Sequence, residues 1–376
     1  MGMNGTPGEV SLRAYDEADW EVLRPFILRQ WGPGHPMADR RLFDWQFRGF
    51  GPRETRPRSI LLFLEGRLAG FRGIIPGLYQ VPSPEGMRVL PGGSLAMWMI
   101  AENLRGKGLG RMMHEAAERS CRVLSGAGSN PLTSVPVYLK SGFHYLEAMN
   151  RYLAVLDREK SEALFGSGVS GIPSPSSGNR AKPLSPSPAD PRELAAAWAA
   201  GAYEAGFFSL YRNEEFWKWR ILESPGFRYE IFVDPSGSGF AVARIESPPG
   251  VLRVIDLVPS GKGAWQGVLD AGFSSFLAGC LAWAREAGCI AADFHCSSGV
   301  FRPILEKSGF YREEDCSGSG IPALPRLFNG KNRDARPINA LAKAPFPVSF
   351  EKSYMVKSDN DMDRPRRLDA DGNVLY

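Results

Sequence analysis

The sequence predicts a mixed α/β protein in which one fold occurs twice in tandem, the second copy degenerate. Three observations carry this expectation. An apolar run of strand length, Leu95 to Ile100, feeds a basic glycine-rich turn, Arg105–Gly106–Lys107–Gly108–Leu109–Gly110, and that turn opens an amphipathic stretch. Trp45-x-Phe47-Arg48 is echoed by Trp217-x-Trp219-Arg220, and Lys140–Ser141–Gly142–Phe143 by Lys307–Ser308–Gly309–Phe310, in the same order. Between the copies, 17 of the 26 residues from Gly166 to Pro191 are Gly, Ser or Pro, a composition that buries too little apolar surface to offset the entropy of ordering it. The expected layout is a disordered 1–9, a first domain at 10–160, a linker at 161–192, a degenerate second domain at 193–325 and an extension at 326–376. Each domain is expected to be a mostly antiparallel sheet flanked by helices.

In chain order, Ser11–Tyr15 reads as a strand, and Asp16 and Asp19 start a helix carrying Trp20, Leu23, Phe26, Ile27 and Trp31. Gly32–Pro36 stops it, and Arg41–Phe50 forms a second helix. Ile60–Leu64, Leu68–Ile75 and Gly77–Val81 read as three strands. After the glycine turn, Leu109, Met112, Met113, Ala116, Ala117, Cys121 and Leu124 recur at three- and four-residue spacing, as one buried helix face requires. Arg111, His114, Glu115, Glu118 and Arg122 fall on the other face. Ser125–Asn130 is a strand, Thr133–Lys140 a helix that Gly142 ends, and His144–Ala148 with Tyr152–Asp157 a closing hairpin. In the second copy, Tyr229–Val233 and Phe240–Ile245 are strands.

Composition narrows the function. A net charge of +4 is too small, without a clustered patch, to indicate a nucleic-acid partner. The first ten residues have neither the basic start nor the apolar core of a signal peptide, and no apolar run reaches membrane-spanning length. Five cysteines without a CxxC pair fit reduced thiols, so a cytoplasmic protein without a membrane partner is expected.

The strand–glycine–helix order suits an anion. First-turn N–H groups lack internal partners, and the helix dipole places positive charge there. Glycines 106, 108 and 110 let the backbone turn tightly and let a phosphate approach, while Arg105, Lys107 and Arg111 add charge. The spacing is neither that of a P-loop nor that of a dinucleotide fingerprint. It resembles the acyl-CoA loop of the GNAT acetyltransferase superfamily, Arg/Gln-x-x-Gly-x-Gly/Ala, with Arg105, Gly108 and Gly110 in those positions. Tyr138–Leu139–Lys140–Ser141–Gly142–Phe143, with Asn130 upstream, resembles a second pattern of that superfamily.

The resemblance implies acetyl-CoA, or another acyl-CoA, as co-substrate. Gly106, Lys107, Gly108, Leu109, Gly110 and Arg111 would hold the diphosphate, Trp98, Met99 and Ile100 the pantetheine arm, and Tyr138 would protonate the leaving thiolate. An amine of a small molecule, amino sugar or peptide would attack directly, its oxyanion held by a backbone N–H near Trp98 to Ile100, with Glu102 or a water chain as base. Two alternatives stand beside this: an aminoacyl-tRNA-dependent transferase of tandem type, and a CoA-binding sensor without turnover. The second copy has Trp265 in its loop and Leu305 in place of Tyr138, so it is expected to be catalytically mute.

Other groups read as background. His35 is a loop residue, and Arg48 and Arg220 could face an anionic acceptor. Asp293, His295 and Cys296 share one strand, which points His295 and Cys296 to opposite faces and argues against a cysteine nucleophile. Asp359-x-Asp361-x-Asp363 opens like a calcium loop but has Arg364 where Gly is needed and Ala370 where Glu is needed, so a solvated tail is expected.

Overall fold

The computed structural model describes residues 9–172, 181–247, 250–268, 270–315 and 337–363, with the backbone of 367–368 and 374–375. The expectations for 1–8, the middle of the linker, Cys316, residues 316–336, Arg364 and Ala370 lie outside the described residues. The first half runs β1 (Val10–Ala14), α1 (Trp20–Trp31), α2 (Arg40–Arg48), β2 (Ile60–Leu64), β3 (Arg67–Ser83), β4 (Gly86–Ile100), α3 (Leu109–Ser120), β5 (Val123–Ala127), α4 (Val135–Lys140), β6 (His144–Leu146), β7 (Asn150–Val155) and α5 (Arg158–Phe165). The second runs α6 (Pro191–Trp198), β8 (Ser209–Leu210), α7 (Glu214–Trp217), β9 (Glu230–Val233), β10 (Gly239–Glu246), β11 (Val251–Pro259), α8 (Ala271–Glu286), β12 (Ala291–Cys296), α9 (Arg302–Lys307), β13 (Tyr311–Arg312) and β14 (Ala340–Lys343).

Local chemistry explains most elements. A reciprocal Asp16/Asp19 capping box starts the turn that leads into α1, whose Trp20, Leu23, Phe26 and Ile27 are buried. Pro76 does not divide β3, because β2 covers that strand only as far as Arg72 and leaves its other edge unladdered there. The two large sheets have the orders β1-β2-β3-β4-β5-β14-β6 and β13-β7-β12-β11-β10-β9, with β8 added beside β3, and Arg367–Leu368 pairs separately with Val374–Leu375.

Those orders correct the expected closing hairpin. β6 and β7 do not pair. β14, from the far end of the chain, inserts antiparallel between β5 and β6, while β7 leaves for the second sheet and inserts antiparallel between β12 and β13. Each half is thus closed by the other's last strand. Sequence proximity favours the hairpin, but burial decides against it: Leu153 and Ala154 on β7, and Ala340 to Ala342 on β14, are wholly buried where they are.

The glycine-rich segment also differs from a free linker. Val169 and Ile172 are fully buried, with their carbonyls bound by Arg158, and Leu184 N–H donates to the Gly279 carbonyl on α8. A few apolar side chains in a polar segment suffice to strap it down at both ends.

A local two-fold relation joins the halves. Trp45 Nε1 donates to the Trp219 carbonyl at 2.7 Å and Trp219 Nε1 to the Trp45 carbonyl at 2.8 Å, their rings stacked 5.6 Å apart. The repeat is therefore in register two residues away from the sequence echo: Trp45 answers Trp219, not Trp217. The α4 and α9 ends do match as the sequence indicated, each closing on Ser-Gly-Phe with the glycine at positive φ, 78° and 100°.

If β14 completes the first core, Leu341→Ala should cost about 2–5 kcal/mol. Chemical denaturation should show that loss in one transition shared by both halves. A variant that melts only a C-terminal unit would contradict the exchange.

Candidate active site

The strand pair beneath the glycine turn is open. β4 and β5 run parallel and pair only over Gly92–Ser94 with Val123–Ser125. From Leu95 to Ile100 no strand borders β4 on that side among the described residues. A bulge at Met97, between the pairs Arg72–Trp98 and Gly73–Ala96, interrupts the β3–β4 ladder, and Met97 takes a φ of 46°. A left-handed conformation costs a non-glycine residue about 1–2 kcal/mol, and such strain collects at functional sites.

The turn past β4 is the one the sequence assigns to an anion. Gly106 and Gly108 have φ of 78° and 81°, which only glycine adopts readily, and a Cβ at either would meet open space. α3 starts at Gly108 with no side-chain cap. The backbone N–H groups of Gly106, Lys107, Gly108, Leu109, Gly110 and Arg111 have no hydrogen-bond acceptor among the described residues. Lys107 and Arg111 are exposed and unpaired there, while Arg105 braces the turn, its Nε on the Ile100 carbonyl at 3.2 Å and its Nη2 on Gln30 at 3.3 Å. Gly110 lies against the Trp98 indole, so the helix start sits directly over β4.

Inward from the turn lies a cluster the sequence did not announce. Tyr138 is 3% exposed, its hydroxyl accepting a hydrogen bond from Arg72. The Arg72 guanidinium lies 4.5 Å from the Trp98 ring centroid. His114, expected on the exposed face, is fully buried: it packs edge-on to Tyr138 at 5.0 Å and shares a hydrogen bond with Ser141 Oγ at 3.1 Å. Burial, reinforced by Arg72, pushes its pKa down to about 4 and outweighs the pull of Glu118. Met112, expected inside, is 39% exposed. The true inner face of α3 is Leu109, Met113, His114 and Ala117; an imidazole with an acceptor at hand is buried where a thioether is not.

Of the other expected residues, Met99 is buried and Ile100 half-buried at the end of β4. Glu102 is exposed in the first turn after it, its side chain without a hydrogen bond among the described residues. Asn130 uses its Oδ1 on the N–H groups of Leu132 and Thr133 and so shapes the loop after β5. His35 lies buried under Trp31, with Nδ1 accepting from Met37 N–H. Arg48 pairs with Glu223 across the halves. Among the described residues, no His, Cys, Asp and Glu cluster could hold a metal ion.

The second copy repeats the bulge, between the pairs Val242–Asp256 and Ala243–Val254, but its site is closed twice over. Trp265 fills the loop, and Asp270 caps α8 through Phe273 N–H at 3.0 Å, putting a carboxylate where the first copy leaves bare amides. Asp359, Asp361 and Asp363, expected to lie in a solvated tail, belong instead to a segment, 353–363, buried in the opening past β11 and β12. Tyr354 Oη accepts from Leu257 N–H, Ser297 N–H donates to the Met355 carbonyl, and Arg220 donates to the carbonyls of Lys357, Ser358 and Asn360. Asp359 pairs with Arg212 at 2.9 Å, Asp363 with Arg244 at 2.6 Å, and Lys357 with Asp293 at 2.6 Å. Burial alone would raise the Asp293 carboxyl, but Arg253, Lys357 and Arg151 hold it well below the ordinary carboxylate range. Asp293 and His295 face one way along β12, Nδ1 to Oδ2 3.9 Å, while burial pushes the Cys296 thiol up, so no nucleophile is prepared there.

No protein-family profile matches the sequence, and no curated protein does. Solved structures do match. A probable N-acyltransferase of unknown function from Enterococcus faecalis V583 aligns with 89% of this chain and 72% of its own, at 10% identity and a TM-score of 0.54. A GCN5-related N-acetyltransferase from Kribbella flavida aligns with 91% and 72%, at 14% and 0.54. One from Anabaena variabilis ATCC 29413 aligns with 89% and 72%, at 12% and 0.51. The likeness is one of fold.

Because His114 is held neutral when folded, the unfolded chain binds more protons between pH 4 and 6.5. Stability should therefore fall as pH is lowered through that window. Urea denaturation at pH 7 and pH 5 should show the loss in the wild type and a smaller one in His114→Phe; equal losses would refute the assignment.

Proposed function

With the fold that of GCN5-related N-acetyltransferases, we propose that the protein is a CoA-dependent N-acyltransferase. It moves an acetyl or other acyl group from acyl-CoA to an amine of a small-molecule, amino-sugar or peptide acceptor. The observation that carries this reading is the run of unpartnered N–H groups from Gly106 to Arg111 at the mouth of the β4–β5 opening. Six amides, a helix N-terminus and two free cations suit a diphosphate. The second copy, whose loop is filled by Trp265 and whose helix start is capped by Asp270, supplies β14, the strand exchanged for β7, rather than a second cofactor site.

In this reading the pantetheine arm lies along Trp98 to Ile100, and the amine attacks the thioester carbon. Charge gathering on the carbonyl oxygen is met by a backbone N–H beside the Met97 bulge, already fixed before reaction. The C–S bond breaks with its electron pair on sulfur, and Tyr138 donates the proton that makes the thiol. Glu102, exposed past the open end of β4, takes the proton of the attacking amine, directly or through water.

Calorimetry with acetyl-CoA, followed by thiol release against a panel of amines, tests the proposal. Gly108→Val should weaken binding about tenfold or more, the worth of one or two hydrogen bonds to a charged ligand, with the circular dichroism spectrum unchanged. Tyr138→Phe should lower turnover about 10²-fold and leave acetyl-CoA affinity alone. A wild-type protein that binds no acetyl-CoA would end the proposal; binding without thiol release would favour a sensor.

A further inference from the structure

Arg72 is a buried cation without a counterion. It is 2% exposed, its Nε has no hydrogen-bond partner, and no carboxylate pairs with it among the described residues. The other deeply buried arginines are better answered: Arg212, Arg244 and Arg253 each hold an acid at 2.8 Å or less, and Arg220 donates to three backbone carbonyls. The carboxylate of the cluster, Glu118, is taken by Lys343 at 2.6 Å, and His114 is neutral. Burying an unpaired guanidinium costs several kcal/mol, so stability does not account for it.

Nor does the fold require it. In the second copy the same bulge is built with Val242 in the place of Arg72 and Leu305 in the place of Tyr138, both wholly buried. Arginine and tyrosine are present together in the open copy and absent together in the closed one.

We infer that Arg72 is a positioning residue for the leaving group, acting through Tyr138. The inference rests on the acyltransferase reading above. Its Nη2 occupies a lone pair of the phenol oxygen, which turns the hydroxyl proton away from Arg72 and toward the opening. When the amine attacks and the C–S bond breaks, the electron pair passes to sulfur and the Tyr138 proton follows it. The phenolate left behind lies against the guanidinium, the counterion that Arg72 lacks at rest. The proton released by the acylated amine passes by way of Glu102 to solvent, and the phenolate takes one back from water, closing the cycle without any further reactant.

Leaving-group dependence tests this in the full-length protein. With acetyl-CoA and an amine that the wild type accepts, Arg72→Met should lower kcat about 10- to 100-fold, leave acetyl-CoA affinity within about twofold, and not lower the melting temperature. With an acetyl thioester of an acidic aromatic thiol, which leaves without a proton, the wild-type to variant ratio should shrink toward one. Arg72→Lys should recover part of the acetyl-CoA rate. An equal loss on both thioesters, a loss confined to carboxylate-bearing acceptors, or an undiminished kcat overturns the inference while leaving the transferase reading standing. Wild-type protein that releases no thiol with any amine overturns both.

Discussion

The exchange of closing strands is the constraint on which the rest depends. β14 can lie between β5 and β6 only if the chain returns from the second half, and β7 can lie between β12 and β13 only if it leaves the first. Neither sheet is complete from its own residues. The exchange fixes the two halves face to face, and the paired Trp45 and Trp219 bonds sit at that junction with little room for rotation. It also sets the outer wall of the open site, since Leu341 on β14 packs in the same cluster as Tyr138, Phe143 and Leu95.

From this shared scaffold the two openings have gone opposite ways. The second is filled by residues 353–363 and stitched with ion pairs whose members come from both halves, Arg151 on β7 and Arg253 on β11 meeting Lys357 around Asp293. Charges so deeply buried are tolerable only when each is answered, and there they are. The first opening keeps its amides bare, a strained Met97 and an unanswered Arg72. The same kinds of group are thus satisfied internally in one copy and left without partners among the described residues in the other.

The glycine turn was legible because its requirements are local. Positive φ at Gly106 and Gly108, and uncapped N–H groups at a helix start, follow from a few adjacent residues. The filled loop of the second copy was legible for the same reason, in Trp265, which is buried there. Arg72 was not: an arginine in a strand reads as a surface residue, and only the path of α4 across β3 turns it toward Tyr138. His114 was assigned to the wrong face because periodicity ranks methionine above histidine for burial, while Ser141 and a close aromatic wall decide otherwise.

By itself, then, the sequence determined the fold class, the order of most elements, the duplication and the position of the glycine turn. Each of these depends on residue type at short spacing. The tertiary structure alone decided which strand closes which sheet, that the aspartates near the C-terminus are interior, and that an arginine stands behind the tyrosine. Those are questions of which distant segments share a buried volume, and burial is settled by the whole chain at once, not by any neighbourhood along it.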